Sequence, residues 1–271
     1  MKAALIQMRT VSDKAENLRH ARELIDEAAK NGADLCVLPE MFCCEYRNRS
    51  FIENQEPAGG PAWQMLSAAA RENRVWLIGG SVPEAEDGKL YNTSFVFDRE
   101  GNQAARCRKS HLFDIAVEGG QHFKESATFT PGDEICSFDT EFGRLGLCIC
   151  FDMRFPELAR IMSIDGAWAV FCPASFNMTT GPAHWEIMFR SRAVESQVYA
   201  LGCAPARDEQ GSYVSYANSI AVSPWGDVLA RAGAEETTLY VELDPAYVES
   251  IRAQLPLMSA RRTDMYTLRR V

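Results

Sequence analysis

Apolar positions in this chain switch repeatedly between two spacings, and the switches divide it into elements. Residues 2–8 are a mostly apolar run, and "SDKAENLRHARELIDEAAKNGA" follows with apolar residues three and four apart. The run predicts a buried strand. The stretch after it predicts a helix with Leu18, Ala21, Leu24, Ile25 and Ala28 on one face and Gly32 as its C-terminal stop. The apolar strand "DLCVLPE", a helical stretch over residues 62–71 and the strand "VWLIGGSV" continue the order, so the first half reads βαβαβ. It closes in a hairpin, "YNTSFVFDREGNQAARCRK", whose turn is "DREG".

The second half repeats this plan. Strand "RLGLCIC", helix "PELARIMSID", Gly166, strand "AVFCPAS", helix "HWEIMFRSRAVESQ" and strand "VYALGCAP" lead to another hairpin, "SYANSIAVSPWGDVLARAG". A last strand, "TLYVELD", a helix over residues 246–254 and the basic tail "RRTDMYTLRR" complete the chain. Two half-sheets with helices on their outer faces bury their inner faces against each other, which predicts an α/β fold in four layers, an α-β-β-α sandwich of two similar halves. A single doubly wound sheet is the competing arrangement, because strands buried on both faces serve either. No linker separates the halves, so residues 1–271 are expected to form one domain.

Composition and charge narrow the function. Although 46% of residues are hydrophobic, no apolar run approaches the roughly 20 residues that a membrane-spanning helix needs. The amino-terminal apolar stretch is also too short for a signal-peptide core. With 28 basic and 37 acidic residues the net charge is -9, and no Lys/Arg run suits a nucleic acid. This charge repels a small anion at long range, so recognition of an acid would need a local cation, for which Arg154 is placed. The nine cysteines (36, 43, 44, 107, 136, 148, 150, 172, 203) include no C-x-x-C pair, and are expected to be reduced thiols in a cytoplasmic protein. No metal is expected, since the four histidines (20, 111, 122, 184) lie far apart.

Candidate chemistry centres on "GRLGLCICFDMRFPEL". Alternation along the strand turns Leu145, Leu147 and Ile149 one way and Cys148 and Cys150 the other. Cys148 lies within the strand. Cys150 lies at its carboxyl end, before a helix that Pro156 and Glu157 place near residue 155, so an elbow there would expose the thiol near a positive helix end that favours the thiolate. Cys150 is thus the candidate nucleophile, with burial as a small hydrophobe the alternative. His111 and His184 are possible bases. Glu40, directly after an apolar strand, is another, because desolvation raises a carboxylate's pKa. Lys109 ends a strand and would stabilise an oxyanion if buried beside one; Glu125 is either a surface charge or the partner that positions Lys109.

The motifs "LPEMF" around Glu40, "RKSHLFD" around Lys109 and "GLCICFDMRFPEL" around Cys150 occur in this order, and together they resemble the Glu-Lys-Cys triad of the nitrilase, or carbon-nitrogen hydrolase, superfamily. Each is weak alone; the set is specific, and the resemblance runs along essentially the whole chain. It implies the four-layer sandwich, a homodimer formed through helices near the nucleophile, and amide hydrolysis with neither cofactor nor metal. It also implies that Glu40 takes the thiol proton as Cys150 attacks the amide carbon, then delivers a proton to the departing ammonia. Lys109 and the Phe151 backbone N–H would stabilise the oxyanion, and water activated by Glu40 would hydrolyse the thioester. Glu125 matches a second glutamate that holds Lys109 and the substrate, and the histidines fall outside catalysis.

Within the superfamily, "GGSVPEAEDGKLYNTS", "HLFDI", "FNMTTGPAHWE", "APARD" and "AGAEET" are most similar to the ω-amidase branch. The implied substrates are small α-keto acid amides, α-ketoglutaramate and α-ketosuccinamate, which give α-ketoglutarate or oxaloacetate and ammonia. Arg154 matches the position that grips the substrate carboxylate; an ion pair with Asp152 or Glu157 is its alternative role. Tyr46, Phe176 and Thr180 match positions lining the pocket, with ordinary packing as theirs. "PEMFCCEY" departs from the pattern, with Cys43 and Cys44 where relatives carry Asn and a small residue. The rival readings are an amidase for deaminated glutathione and a non-catalytic binding protein on the same fold. Against the latter stands the cost of a buried charge cluster that a scaffold does not use.

Overall fold

In the computed structural model, which describes residues 1–271, the first half comprises β1 (Lys2–Gln7), α1 (Lys14–Lys30), β2 (Leu35–Val37), α2 (Asn48–Glu53), α3 (Pro61–Asn73), β3 (Trp76–Ile78), β4 (Val82–Glu86), β5 (Lys89–Phe97) and β6 (Gln103–Arg108). A small hairpin, β7 (Asp114–Ala116) and β8 (His122–Lys124), leads to β9 (Cys136–Thr140), β10 (Gly143–Leu147), α4 (Pro156–Ile164), β11 (Ala169–Pro173), α5 (Gly181–Ser196), β12 (Tyr199–Cys203), β13 (Ile220–Val222), β14 (Val228–Arg231), β15 (Thr237–Glu242) and α6 (Pro245–Gln254). Asp13 caps α1, accepting hydrogen bonds from the amides of Ala15 and Glu16 at 2.8 and 3.2 Å. The predicted face is used: Ala21, Ile25 and Ala28 are fully buried, with Leu18 and Leu24 packed at its edge.

Period-two alternation with apolar residues on both sides is what builds four layers. In β1, Ala4 and Ile6 join the core beneath α1 and α3, whereas Ala3 and Leu5 turn inward to meet Leu145, Leu147, Phe171 and Leu201 of the second sheet. A third core, with Val170, Cys172 and Ala200 against Trp185 and Phe189 of α5, covers the other outer face. The sheets are ordered β15-β1-β2-β3-β5-β4, with β6 on β5, and β14-β13-β12-β11-β10-β9. The sandwich expectation therefore holds against the single doubly wound sheet. β15 crosses out of the second half to pair antiparallel with β1, Lys2 opposite Glu242 and Gln7 opposite Thr237. Nothing in "TLYVELD" specifies that partner; the open edge of β1 does. The strands β4 and β9, the β7–β8 hairpin and α2 are additions to the sequence-based plan.

One expectation is corrected here. Cys107, at the end of β6, and Cys136, at the start of β9, are joined as a disulfide with Cα atoms 5.7 Å apart, leaving seven free cysteines rather than nine. The two strands belong to different sheets and meet across the inner interface, which spacing along the chain does not reveal.

Helix α5 lies very close to β12 because Gly202 has no side chain: a Cβ there would strike the rings of Phe189 and Trp185. Gly202→Ala is expected to destabilise the fold by about 1–3 kcal/mol, read as a lowered midpoint in chemical denaturation at unchanged slope.

Candidate active site

Glu40, Lys109 and Cys150 follow the ends of β2, β6 and β10, and the sandwich brings the two sheets' loops to one place. Glu40 sits where the chain turns sharply, with Met41 at φ 53°. Gly80 passes so close to Pro39 that any Cβ would overlap its carbonyl oxygen, and it too has a positive φ of 58°. The adjacent loop that carries Cys43 and Cys44 is held by Asn17, whose amide donates to the Cys43 carbonyl at 3.0 Å, and by Ser81, whose hydroxyl accepts from the Met41 amide at 3.0 Å.

These side chains form a buried charge cluster. Glu40, Lys109, Glu125 and Cys150 are 2, 1, 0 and 3% exposed. The Lys109 ammonium donates to Glu40 Oε1 and Glu125 Oε2, both at 2.8 Å, and lies 3.5 Å from the Tyr46 hydroxyl. Asn92 bridges the same carboxylates, its Nδ2 donating to Glu40 Oε1 at 2.9 Å and to Glu125 Oε1 at 3.0 Å. Glu125 also accepts from the Phe113 amide. Oε1 of Glu40 is thus saturated, while its Oε2 has no hydrogen-bond partner.

Burial works against the Lys109 charge, but Glu125 and Glu40 outweigh it and raise the pKa well above the ordinary lysine value, so the ammonium stays charged. Burial raises Glu40, with Lys109 pulling the other way and Glu125 adding to the rise. Cys150 is also pushed well up, by burial first and then by the Glu40 charge. The resting nucleophile is therefore a thiol beside a carboxylate. This corrects the expectation of an exposed, thiolate-favouring elbow: the elbow exists, with Cys150 at φ 48°, but it points inward.

Beyond Leu147 the strand gives way, and Ile149 joins Cys148 and Cys150 in the core beneath α5 instead of facing Leu145 and Leu147 as alternation predicted. The cause is a 3₁₀ turn over Cys150–Arg154 before α4. Asp152 secures it, accepting from the Ile149 amide at 3.1 Å and, through the other oxygen, from the His111 amide at 2.8 Å. The Arg192 guanidinium on α5 caps the carbonyls of Met153 and Arg154, each at 2.8 Å. Phe151, whose amide follows the nucleophile directly, stands edge-on to Phe113 and Phe155.

The histidines hold other posts. His111 pairs with Asp152 at 2.8 Å and stacks on Phe155, while His184 accepts from Arg154 at 3.1 Å. Arg154 makes neither of the ion pairs weighed for it, since Asp152 is committed to His111 and Ile149 and the Arg154 side chain turns to His184. Its guanidinium stands 4.8 Å from the ring of Phe176. Tyr46 reaches Glu40 Oε1 at 3.4 Å. Thr180 lies at the start of α5, but its hydroxyl is taken by Asn177 at 3.2 Å.

Sequence reasoning left out Asn92, Ser175 and Tyr213. The Tyr213 ring packs at a tilt 4.7 Å from that of Tyr46, its hydroxyl donates to the Ser175 carbonyl, and a cleft lined by Glu40, Cys44, Tyr46, Ser175 and Tyr213 opens from this side. A clue to Asn92 was available: Asn92, Thr93 and Ser94 interrupt an apolar strand, and buried polar groups need partners.

The model of the carbon-nitrogen hydrolase family matches residues 2–253. The chain belongs to the carbon-nitrogen hydrolase family. Among the family's curated members, it is 47% identical over 265 residues to a Mus musculus protein named "Omega-amidase NIT2", covering 98% of this chain and 96% of that one. Among solved structures it resembles Saccharomyces cerevisiae Nit3, described as a member of branch 10 of the nitrilase superfamily, with TM-score 0.89, 40% identity, and 97% and 96% of the two chains covered. A mutant of the amidase from Nesterenkonia sp. AN1, whose structure shows Michael addition of acrylamide at its active-site cysteine, aligns with TM-score 0.77 and 27% identity over 94% of this chain and 98% of that one.

Proposed function

We propose that this carbon-nitrogen hydrolase is an ω-amidase that releases ammonia from the terminal amide of short α-keto acid amides through a thioester on Cys150. The observation that carries the reading is the single free carboxylate oxygen, Glu40 Oε2, in a buried cluster whose other oxygen is saturated by Lys109 and Asn92. Glu40, whose charge acts on the buried Cys150 thiol, takes its proton as sulfur attacks the amide carbon. The C–N bond breaks as Glu40 returns that proton to nitrogen, and ammonia leaves. Lys109 and the Phe151 N–H stabilise the oxyanion, charge for charge and dipole for charge, in a site nearly closed to water. Glu40 then deprotonates water, whose oxygen attacks the thioester carbon; the C–S bond breaks, the acid leaves, and the proton held by Glu40 returns to the Cys150 sulfur. Glu125 fixes Lys109 between two anions, and Tyr46 and Phe176 shape the pocket, with Thr180 at its edge. Neither cofactor nor metal enters this scheme.

Arg154 supplies the cation that an acidic protein needs to hold an acidic substrate. Arg154→Lys is expected to lower kcat/KM for α-ketoglutaramate on the order of tenfold, because an ammonium cannot replace the planar bidentate grip. The direct test of the proposal is ammonia release by the purified protein from α-ketoglutaramate and from deaminated glutathione side by side. A higher kcat/KM for the latter would overturn it.

A homodimer and a cytoplasmic location complete the proposal. Ile187 and Val194 on α5 and the neighbouring Trp225 are 64, 42 and 54% exposed, which supports an apolar contact face there. Seven free thiols support a reducing compartment, and the Cys107–Cys136 pair stands against it.

A further inference from the structure

Some arginines that give up solvent, Arg160 and Arg252, bond to Met258 and to Ser163 and the Ala167 carbonyl, while others meet carboxylates: Arg99 meets Asp34 and Glu141, Arg108 meets Glu84 and Glu86, and Arg192 meets Glu195. Arg154 does not. Its faces are covered by Phe176 at 4.8 Å and Phe151 at 5.6 Å, and its side-chain hydrogen bond runs to a neutral acceptor, from Nη1 to His184 Nδ1 at 3.1 Å. Burial lowers its pKa, a sign that the charge is held at a cost, with no anion of the protein to offset it.

We infer that His184 is a positioning residue that aims Arg154 while leaving its charge unspent, and thereby sets the preference for substrates bearing a carboxylate. A guanidinium only donates, so Nδ1 of His184 must present its lone pair, and the imidazole hydrogen then sits on Nε2. A carboxylate in this place would hold the guanidinium equally well but would cancel the charge and occupy the fork that the substrate needs. An imidazole fixes the rotamer and leaves the remaining N–H groups free.

His184 itself is exposed, and the helix that carries it is anchored. His184 lies in the first turn of α5, its amide bonded to the Thr180 carbonyl at 2.9 Å, beside the fully buried Trp185, whose indole N–H donates to Asn218. The same helix sends Arg192 to the Arg154 carbonyl. Helix α5 therefore holds Arg154 by its backbone and by its side chain, and the direction of the fork is set relative to the nucleophile turn.

The inference rests on Arg154 as the carboxylate's partner, so the experiment includes Arg154→Lys as a separate arm. In His184→Asn an amide oxygen replaces Nδ1 as a neutral acceptor; in His184→Asp the acceptor is retained but charged. His184→Asp is expected to raise both KM for α-ketoglutaramate and Ki for the product α-ketoglutarate by about tenfold or more, with kcat at saturation kept within about twofold, whereas His184→Asn stays within about threefold on all three. Thermal midpoints of both variants establish that each is folded. Equal effects of Asn and Asp, or a loss that falls on kcat, would overturn the role of His184. If Arg154→Lys leaves KM and Ki unchanged, the carboxylate reading itself fails; if Arg154→Lys raises them and His184→Asp does not, only the inference fails.

Discussion

Cys150→Ala is expected to abolish ammonia release, while Cys148→Ala retains most of it. The two thiols are two residues apart and both buried, at 3 and 5% exposure, so accessibility does not separate them. Their partners do. Burial and then the Glu40 charge raise the Cys150 pKa, with Lys109 opposing; Cys148 instead lies among core side chains with the buried Cys172. Without the sulfur no acyl-enzyme can form, and the expected loss is all that covalent catalysis provides. Mass spectrometry of the wild type quenched during turnover should place the acyl mass on the Cys150 peptide. Residual turnover in Cys150→Ala together with loss in Cys148→Ala would reverse the assignment.

The second large effect belongs to Glu40. Glu40→Gln keeps shape and most hydrogen bonding but cannot accept a proton, and about 10²–10⁴-fold in kcat/KM is expected to disappear. The pH profile of the wild type gives an independent check. A general base works only when ionised, and burial followed by the Glu125 charge lifts Glu40 above its ordinary value of 4.5 despite the opposing pull of Lys109. Activity is therefore expected to be present at neutral pH and to fall as pH drops through the raised pKa, with its acid limb above pH 4.5. Lys109, held protonated by two anions, adds no loss in that range. The limb should vanish from whatever activity Glu40→Gln retains. An unchanged limb would assign it to another group.

Much of this site was legible because strand ends are legible. Strands that end at Glu40, Lys109 and Cys150 mark the places where a layer opens, and the motifs around these residues, in their order along the chain, carried the family resemblance. Asn92 and Tyr213 were not read, because their roles depend on groups distant in sequence: Asn92 on two carboxylates 52 and 33 residues away, and Tyr213 on the Ser175 carbonyl 38 residues away. The thiolate expectation failed for a related reason. A position just before a helix start argues for an electropositive, open elbow, but β10, α5 and the Glu40 loop close over Cys150, and desolvation then outweighs the neighbouring cation.

The alternation of apolar positions determined the strands and helices and the two-half plan, and the motifs around Glu40, Lys109 and Cys150, through the family resemblance they carry, the three residues of the proposed reaction, since period and side-chain type are local properties. Tertiary structure alone decided that the half-sheets stack face to face, that β15 crosses to β1, and that Cys107 reaches Cys136. It also decided the protonation of the nucleophile and the freedom of Arg154. Both depend on which charges and which apolar walls stand within a few ångströms, and those distances exist only once the sheets have closed on one another.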